Sequence, residues 1–408
     1  TDNRGIRPQK PEADMQFPER FSDLPEYAFP RLRALLDTHP AGGDVLAMSL
    51  GEPKHPFPSF ITEEILKNAA SFANYPPNDG DPELLSAIAS WVKRRFNVSI
   101  NANKQILALN GTREGLFNAC IATCPELKHG KRPNVLMPNP FYQVYALAAI
   151  TAGALPIYVN ATADNGFLPD FNTMSAATLN DTAIVYLCSP SNPQGAVATP
   201  EYWRELLKLA EQHDFKILAD ECYSEIYRHK APVGVLEIAD EIGADPERVI
   251  TFHSLSKRSN LPGLRSGFAA SGPKNINAMK QLRNYAGAPL PLPLQRAAIA
   301  CWNDESHVVE NRALYGAKFA VADKIFSDLD DYFPPQAGFF LWLPVQNDEA
   351  ATLRLWKKSG VRVLPGSYLG RPVDGQNPGH GYIRVAMVAP IDEMTRGLKE
   401  IHRHLYEG

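Results

Sequence analysis

Short apolar runs alternate with longer segments of helical period through the middle of the chain, from about residue 105. The runs at 183–188 and 216–220 do not alternate between apolar and polar positions. Strands that are buried on both faces of a parallel sheet have this character. The predicted strands are 135–138, 155–159, 183–188, 216–220, 249–252 and 267–271, and the predicted helices are 141–152 and 201–213, the second opened by Thr199-Pro200-Glu201.

The spacing of these elements changes after about residue 290. A long helical stretch at 295–330 is followed by predicted strands at 338–344, 361–366 and 382–388 and by predicted helices at 348–359 and 391–406. This order predicts an α/β fold with a large doubly wound, mostly parallel sheet and a small α+β domain. We assign 1–48 to an N-terminal arm and the start of the small domain, 49–295 to the large domain and 296–408 to the small domain.

Composition and charge exclude several classes of protein. The 408 residues carry 41 basic and 45 acidic side chains, a net charge of −4, so the basic footprint of a nucleic-acid-binding protein is missing. No run of about 18 apolar residues suggests a membrane span. The polar, proline-rich start does not resemble a signal peptide. We therefore expect a cytoplasmic protein that binds neither nucleic acid nor membrane.

The residue types that bind metals form no recognisable pattern. Three residues separate Cys120 from Cys124, and no second cysteine pair completes a zinc site. His402 and His404 lie two apart on a predicted helix and therefore face different directions. We expect reduced thiols, as in a cytosolic protein, and no metal.

Residues with useful chemistry follow the predicted strands. Ligands of open α/β sheets bind beyond the carboxyl ends of the strands. The stretches just past those ends carry amide, carboxylate, phenol, hydroxyl and lysine side chains, and their joint placement predicts a binding site. These stretches are 110–115, 139–142, 189–195, 220–223 and 253–258.

One part of this predicted rim suits an anion. A helical segment begins near Glu114, and the free backbone N–H groups at the start of a helix bind phosphate. Hydroxyl and guanidinium groups elsewhere on the rim add donors for the same anion. The candidate phosphate ligands are Gly111, Thr112, Arg113, Ser254, Ser256 and Arg265.

Another part of the rim suits a planar heterocycle. The ring of Tyr142 offers a face for stacking, and Asp220, at a buried strand end, suits a protonated ring nitrogen. Asn192 and Tyr223 suit a ring hydroxyl, and the amine of Lys257 suits an aldehyde. A phosphate, a pyridine nitrogen, a phenolic oxygen and an aldehyde together describe pyridoxal 5′-phosphate.

The segment 254–265 resembles the lysine-bearing segment of fold-type-I aminotransferases. That family places a phosphate-binding serine three residues before its lysine and an arginine eight residues after it, as Ser254 and Arg265 stand around Lys257. Ser-Asn-Pro-Gln-Gly at 191–195 is similar to the family's Asn-Pro-x-Gly, and 220–223 match its Asp-x-x-Tyr. The resemblance extends from about Ser49 to the end of the sequence.

The resemblance implies an enzyme that uses pyridoxal phosphate to move an amino group between an amino acid and a keto acid, with 2-oxoglutarate and glutamate as one pair. Tyr75 resembles the tyrosine that reaches the neighbouring subunit's phosphate, which implies a homodimer with shared sites. The implied catalytic residues are Lys257, Asp220 and Tyr223, and the implied substrate-binding residues are Gly51, Asn192 and Arg384.

Four sequence segments resemble the proteobacterial succinyldiaminopimelate aminotransferases more specifically. They are 50–55, 138–145, 221–227 and 256–260. This resemblance implies N-succinyl-LL-diaminopimelate as the donor, in lysine and diaminopimelate biosynthesis. We expect its distal carboxylates near Lys54, Arg113 and Arg258, the basic residues closest to the rim in sequence. The proline-rich segment 289–293 lacks the small polar group that relatives carry there.

Two other readings of the same residues remain open. One is a class I/II aminotransferase for a different donor, of the aspartate, aromatic or acetylornithine type. The other is a pyridoxal-phosphate-dependent C–S β-lyase, which releases ammonia and pyruvate without a second substrate.

Overall fold

The structure is a computed structural model that describes residues 18–22, 24 and 26–407. Residues 1–17 of the predicted N-terminal arm lie outside the described residues, as do positions 23, 25 and 408. None of the helices in the described part of the chain combines the length and apolar character needed to cross a membrane.

Helices and strands alternate along most of the chain. The strands are β1 Leu46–Ala47, β2 Ile106–Leu109, β3 Asn134–Asn139, β4 Leu155–Asn160, β5 Thr182–Cys188, β6 Lys216–Asp220, β7 Val249–Ser254, β8 Gly267–Ser271, β9 Phe340–Pro344, β10 Val361–Arg362, β11 Leu364–Pro365 and β12 Tyr382–Ala386. The helices are α1 Ala28–Leu36, α2 Phe60–Lys67, α3 Pro82–Phe96, α4 Ala102–Gln105, α5 Thr112–Thr123, α6 Gln143–Thr151, α7 Ala176–Asn180, α8 Pro200–His213, α9 Val235–Glu241, α10 Leu255–Arg258, α11 Pro273–Arg283, α12 Leu292–Asn303, α13 Ser306–Ile325, α14 Asp348–Ser359 and α15 Ile391–Leu405.

The large sheet has seven strands in the order β2-β8-β7-β6-β5-β3-β4. In the part of this order that runs β7-β6-β5-β3-β4, every strand is parallel to its neighbours. Strand β8 is antiparallel to both of its neighbours, β2 and β7. The prediction of an α/β fold with a large, mostly parallel sheet is therefore confirmed. Parallel strands bring their carboxyl ends to one edge, where their final residues meet.

Helices cover both faces of this sheet, which explains why the strands read as continuous apolar runs. In β5, Ile184 and Tyr186 pack in one core with α5, α6 and α11, whereas Val185 and Leu187 pack in another with α8 and α9. Every residue of β5 is buried. Because each face of the strand packs against a layer of helices, its residues do not alternate between apolar and polar types.

The second part of the fold is built on a smaller antiparallel sheet. Its strands lie in the order β11-β12-β9, and β1 and β10 form a separate parallel pair beside them. The helices α13 and α15 pack in the same apolar core as β9 and β12. Since β1 pairs with β10, residues 46–47 join this smaller unit, although they precede the large sheet in sequence.

One expected helix differs from the structure. The stretch 295–330 was predicted as one long helix, but it consists of α12 and α13, separated at Asp304 and Glu305. Asp304 has an extended backbone (φ −105°, ψ 128°), and its carboxylate accepts hydrogen bonds from the Ser306 hydroxyl and the His307 backbone N–H. An aspartate that bonds the first turn in this way starts a new helix rather than continuing the old one. The proposed domain boundary at 295/296 falls within α12, which lies against α2 and α3, and the division remains a prediction.

Candidate active site

A cavity of about 350 Å³ lies at the carboxyl edge of the large sheet. The strand-end residues form one wall, the smaller sheet contributes another, and residues at the start of α1 lie at the mouth. Of the residues expected from the sequence, the cavity wall includes Gly51, Thr112, Arg113, Tyr142, Asn192, Asp220, Tyr223, Ser254, Ser256, Lys257, Arg265 and Arg384.

Lys257 projects from the short helix α10 into this cavity. Its Nζ donates a hydrogen bond to the backbone carbonyl of Gly51 and lies 5.1 Å from the ring centre of Phe339. Lys257 forms no ion pair with a carboxylate in the described part of the chain. Burial lowers the pKa of Lys257 to about 8, with Arg384 and Arg265 adding to the effect and the Cys222 thiol and Glu52 opposing it. The amine is therefore easily obtained in its neutral form.

Asp220 is the last residue of β6, and its carboxylate is buried. The Tyr145 hydroxyl donates a 2.7 Å hydrogen bond to Oδ2, and the backbone N–H of Cys222 lies 3.4 Å from Oδ1. Burial raises the pKa of Asp220, while the hydrogen bonds from Cys222 and Tyr145 oppose that rise. The strand end thus holds a buried acid whose ionisation depends on its hydrogen-bond donors.

Arg384 reaches the same cavity from the opposite side, on strand β12 of the smaller sheet. Its Nη1 donates to Asn192 Oδ1 at 3.0 Å and its Nη2 to the Ser49 carbonyl at 2.8 Å. Nε is buried and has no hydrogen-bond partner among the described residues. Burial lowers the pKa of Arg384 to about 10, which still leaves the guanidinium charged at neutral pH.

The candidate phosphate ligands surround the start of α5. Gly111 caps this helix with φ +80°, and a Cβ atom there would overlap the guanidinium of Arg265. Ser254 Oγ lies 2.9 Å from Ser256 Oγ and accepts a hydrogen bond from the Ser256 backbone N–H. Arg265 itself donates to the carbonyls of Pro262 and Asn110. Backbone N–H groups, two hydroxyls and a guanidinium therefore lie close together at the start of α5, and their role as phosphate ligands remains a prediction.

Aromatic side chains line the space between this anion pocket and Arg384. The Tyr142 hydroxyl accepts a 2.9 Å hydrogen bond from Arg113 Nε, so the two residues form a unit at the cavity wall. Tyr223 is buried and packs edge-on against Phe339 and Phe340. Burial raises the pKa of Tyr142 and of Tyr223, and both phenols are protonated at neutral pH.

Some of the expected residues do not line this cavity. Arg258 was expected at its mouth, and that prediction is wrong: the side chain is 2% exposed and points away, donating to the carbonyls of Cys301 and Asp304 and pairing with Glu305. Its neighbour Lys257 faces the cavity, and adjacent helical residues point in different directions. Tyr75 lies outside the cavity with its side chain 101% exposed.

Two other groups from the sequence have ordinary partners. Lys54 pairs with Glu52, 2.5 Å away, at the edge of the site. His402 bonds to Asp328 and Glu407, and His404 bonds to Glu400. The proline-rich segment lies beside the start of α5, where the Asn110 side chain donates to the Ala288 carbonyl.

Several lining residues were not predicted from the sequence. Tyr145 lies three residues after Tyr142, one turn along α6, and that spacing was its only signal. Cys188 ends β5 and belongs to the same edge as Asp220. Tyr27 and Phe29 come from the arm, where no pattern pointed to the site.

Comparison with known proteins supports the resemblance to aminotransferases that the sequence indicated. The model of the family described as aminotransferase class I and II matches residues 43–401. The LL-diaminopimelate aminotransferase of Dehalococcoides mccartyi (strain ATCC BAA-2266 / KCTC 15142 / 195) is 31% identical over 403 residues, which cover 95% of this chain and 98% of that protein.

Solved structures agree with the sequence comparison. An aminotransferase from Neisseria meningitidis Z2491 superposes with a TM-score of 0.89 at 37% identity, covering 94% of this chain and 98% of that one. The aminotransferase AspB from Helicobacter pylori 26695 gives a TM-score of 0.88 at 33% identity, covering 95% and 100%. The chain therefore belongs to the aminotransferase class I and II family, with its fold-type-I scaffold and its cofactor, pyridoxal phosphate.

Proposed function

We propose that Lys257 carries the cofactor and that the enzyme moves an amino group from an amino acid to a keto acid in two half-reactions. The observation that carries this proposal is the convergence of Lys257 Nζ, the Asp220 carboxylate and the Arg384 guanidinium on one cavity. Bound pyridoxal phosphate supplies an electron-accepting ring that stabilises negative charge at the substrate Cα and stores the amino group between half-reactions.

The side chains present match the groups of this cofactor. The N–H groups at the start of α5 and the hydroxyls of Ser254 and Ser256 would hold its phosphate together with Arg265. Asp220 would face the ring nitrogen, Asn192 and Tyr223 the ring oxygen, and Tyr142 a face of the ring. The buried Asp220 supports this assignment, since its carboxylate accepts hydrogen bonds from Tyr145 and Cys222 and its two oxygens have lone pairs for one more donor.

Lys257 and Arg384 would act on the substrate itself. In its neutral form Nζ would accept the proton from the substrate Cα and then donate it to the carbon that keeps the amino group, so Lys257 would serve as base and then as acid. Arg384 offers two N–H groups to the α-carboxylate in the planar arrangement that a carboxylate prefers. Asn192, which already bonds Arg384, holds that guanidinium in position.

Gly111→Ala is expected to weaken cofactor binding by at least about tenfold, because a Cβ atom there displaces the Arg265 guanidinium and about 1.4 kcal/mol of binding energy is a factor of ten. Fluorescence titration of the apoprotein with pyridoxal phosphate measures the dissociation constant. Gly130→Ala is the matched control, since Gly130 also has a positive φ (+75°) but open space around it. An equal loss in both variants would show that backbone strain, not Arg265, is responsible.

The rate at which apoprotein takes up pyridoxal phosphate is expected to rise with pH, with a midpoint near 8. Only the neutral amine attacks an aldehyde, and burial lowers the pKa of Lys257 to about 8, so that form predominates above this pH. Stopped-flow absorbance between pH 6 and 10 measures the rate. A midpoint near 10.5, the ordinary value for lysine, would mean that Nζ is solvated in the apoprotein.

For the donor, we propose a diaminopimelate-type amino acid, with the N-succinyl form first. Relatives at about 30% identity are named LL-diaminopimelate aminotransferases. Free LL-diaminopimelate carries a distal ammonium group beside its distal carboxylate, whereas succinylation replaces that ammonium group with a neutral amide and adds a second distal carboxylate. At the edge of the site, Glu52 is already paired with Lys54, and Arg113 donates a hydrogen bond from Nε to the neutral Tyr142. This charge arrangement favours a donor with a distal carboxylate and no distal ammonium.

A donor panel with 2-oxoglutarate as acceptor tests this choice. It compares N-succinyl-LL-diaminopimelate, LL-diaminopimelate, acetylornithine, aspartate and phenylalanine, and we expect the highest kcat/KM for the first. A clear preference for LL-diaminopimelate would support the second candidate, which the names of the relatives favour. Ammonia, pyruvate and a free thiol released from added cystathionine, without an acceptor, would indicate a C–S lyase instead.

In the same assay, with alanine added as a short donor, Arg113→Ala is expected to lower kcat/KM for the preferred donor about tenfold and to affect kcat/KM for alanine little. Arg204→Ala is the control, because Arg204 forms surface ion pairs on α8 away from the cavity. An equal loss with both donors would place Arg113 on the cofactor phosphate rather than on the substrate.

We propose further that two copies of the chain form a homodimer with shared sites. Arg265, on the phosphate pocket, is exposed in the single chain, as are the large side chains of Phe72, Tyr75 and Tyr285. A second copy would cover these exposed side chains and complete the surroundings of the phosphate pocket. Sedimentation equilibrium at micromolar concentration is expected to give twice the 45.1 kDa chain mass, and a single-chain mass would contradict the proposal.

A further inference from the structure

Tyr145 makes the shortest hydrogen bond to Asp220, and the proposed chemistry gives it no role so far. Its side chain is fully buried on α6, and its hydroxyl lies 2.7 Å from Asp220 Oδ2. Burial raises the pKa of Tyr145 well above its ordinary value, so the hydroxyl keeps its proton and is the donor in this bond.

A second tyrosine fixes the ring of Tyr145. Tyr186 of β5 stacks on it, with ring centres 4.4 Å apart and planes 10° from parallel. Tyr186 is itself anchored, because its hydroxyl donates to the Leu116 carbonyl at 2.7 Å. Packing against Tyr186 thus restricts the Tyr145 side chain to an orientation in which its hydroxyl points at Asp220.

Asp220 lies among groups that mostly disfavour its charge. His253, on the adjacent strand β7, forms a buried pair with Glu221, its Nε2 3.0 Å from Oε2, and only its protonated form would favour the Asp220 carboxylate. The other titratable side chains around Asp220 are phenols and thiols. These are Tyr142, Tyr145, Tyr186, Cys188, Cys222 and Tyr223.

We propose that Tyr145 is a positioning residue that keeps Asp220 ionised and oriented, so that Asp220 holds a proton on the ring nitrogen of the cofactor. The inference rests on the proposed role of Asp220. A neutral aspartic acid cannot stabilise a protonated pyridine by charge, whereas an ionised one does. The Tyr145 hydroxyl donates its proton to Oδ2 and so stabilises the ionised carboxylate more than the neutral acid, because a hydrogen bond to a charged acceptor is the stronger one.

The test compares Tyr145→Phe with Tyr202→Phe. Phenylalanine keeps the ring that stacks on Tyr186, so Tyr145→Phe removes only the hydroxyl. Tyr202 of α8 provides a matched control, since its hydroxyl also donates a short hydrogen bond, 2.6 Å to the Pro169 carbonyl, and the residue does not line the cavity. Each protein is loaded with pyridoxal phosphate labelled with ¹⁵N in the ring, and the nitrogen chemical shift is followed against pH.

In the wild type and in Tyr202→Phe, we expect a protonated ring nitrogen across the neutral range. In Tyr145→Phe, the midpoint of its titration is expected to fall by about one pH unit, a tenfold change that corresponds to about 1.4 kcal/mol. We also expect kcat to fall about tenfold with the donor KM within about twofold, because the substrate contacts remain.

A second variant covers the case in which Tyr145→Phe does not fold. Tyr186→Leu keeps the Tyr145 hydroxyl but removes its stacking partner. We expect the midpoint of the ring-nitrogen titration to fall in this variant too, by about half a pH unit, which is about a threefold change. A wild-type midpoint in the folded variants, or equal losses in Tyr145→Phe and Tyr202→Phe, would overturn the inference and leave the aminotransferase assignment standing. A wild type whose ring nitrogen is unprotonated would contradict the role of Asp220 itself.

Discussion

The candidate site depends on one constraint, which is that the Lys257 amine is withdrawn from water without an ion pair to a carboxylate in the described part of the chain. Removing an ammonium group from solvent costs free energy, and the protein lowers that cost by letting the group lose its proton. The positive charges of Arg384 and Arg265 lower the pKa of Lys257 further. The resulting pKa of about 8 makes the neutral amine available near neutral pH. A nucleophile is thus made by burial rather than by a neighbouring base.

The two sheets supply opposite halves of this environment. The parallel sheet brings Asp220 and Asn192 to one edge, while β12 of the smaller sheet brings Arg384 to face them. The hydrogen bond from Arg384 to Asn192 connects the two parts. The substrate carboxylate and the reacting Cα are therefore positioned by different parts of the fold, so any change in how the sheets meet alters catalytic geometry.

Much of this arrangement was predictable, because parallel strands have a fixed relation to their binding edge. Asp220 and Ser254 end buried strands, and both can be located from the apolar runs in the sequence without a structure. Arg258 was misplaced because sequence gives the position of a helical residue but not the direction of its side chain. Tyr145 was missed because an aromatic residue on a buried helix normally belongs to the core, and only its contact with Asp220 distinguishes it.

The most direct test of the central claim is to trap the cofactor on the loaded enzyme with borohydride and to map the modified peptide by mass spectrometry. The account predicts a single modified residue, Lys257, in a protein that binds one pyridoxal phosphate per chain. A colourless protein that stays unmodified with excess pyridoxal phosphate, or a modification on a different lysine, would contradict it.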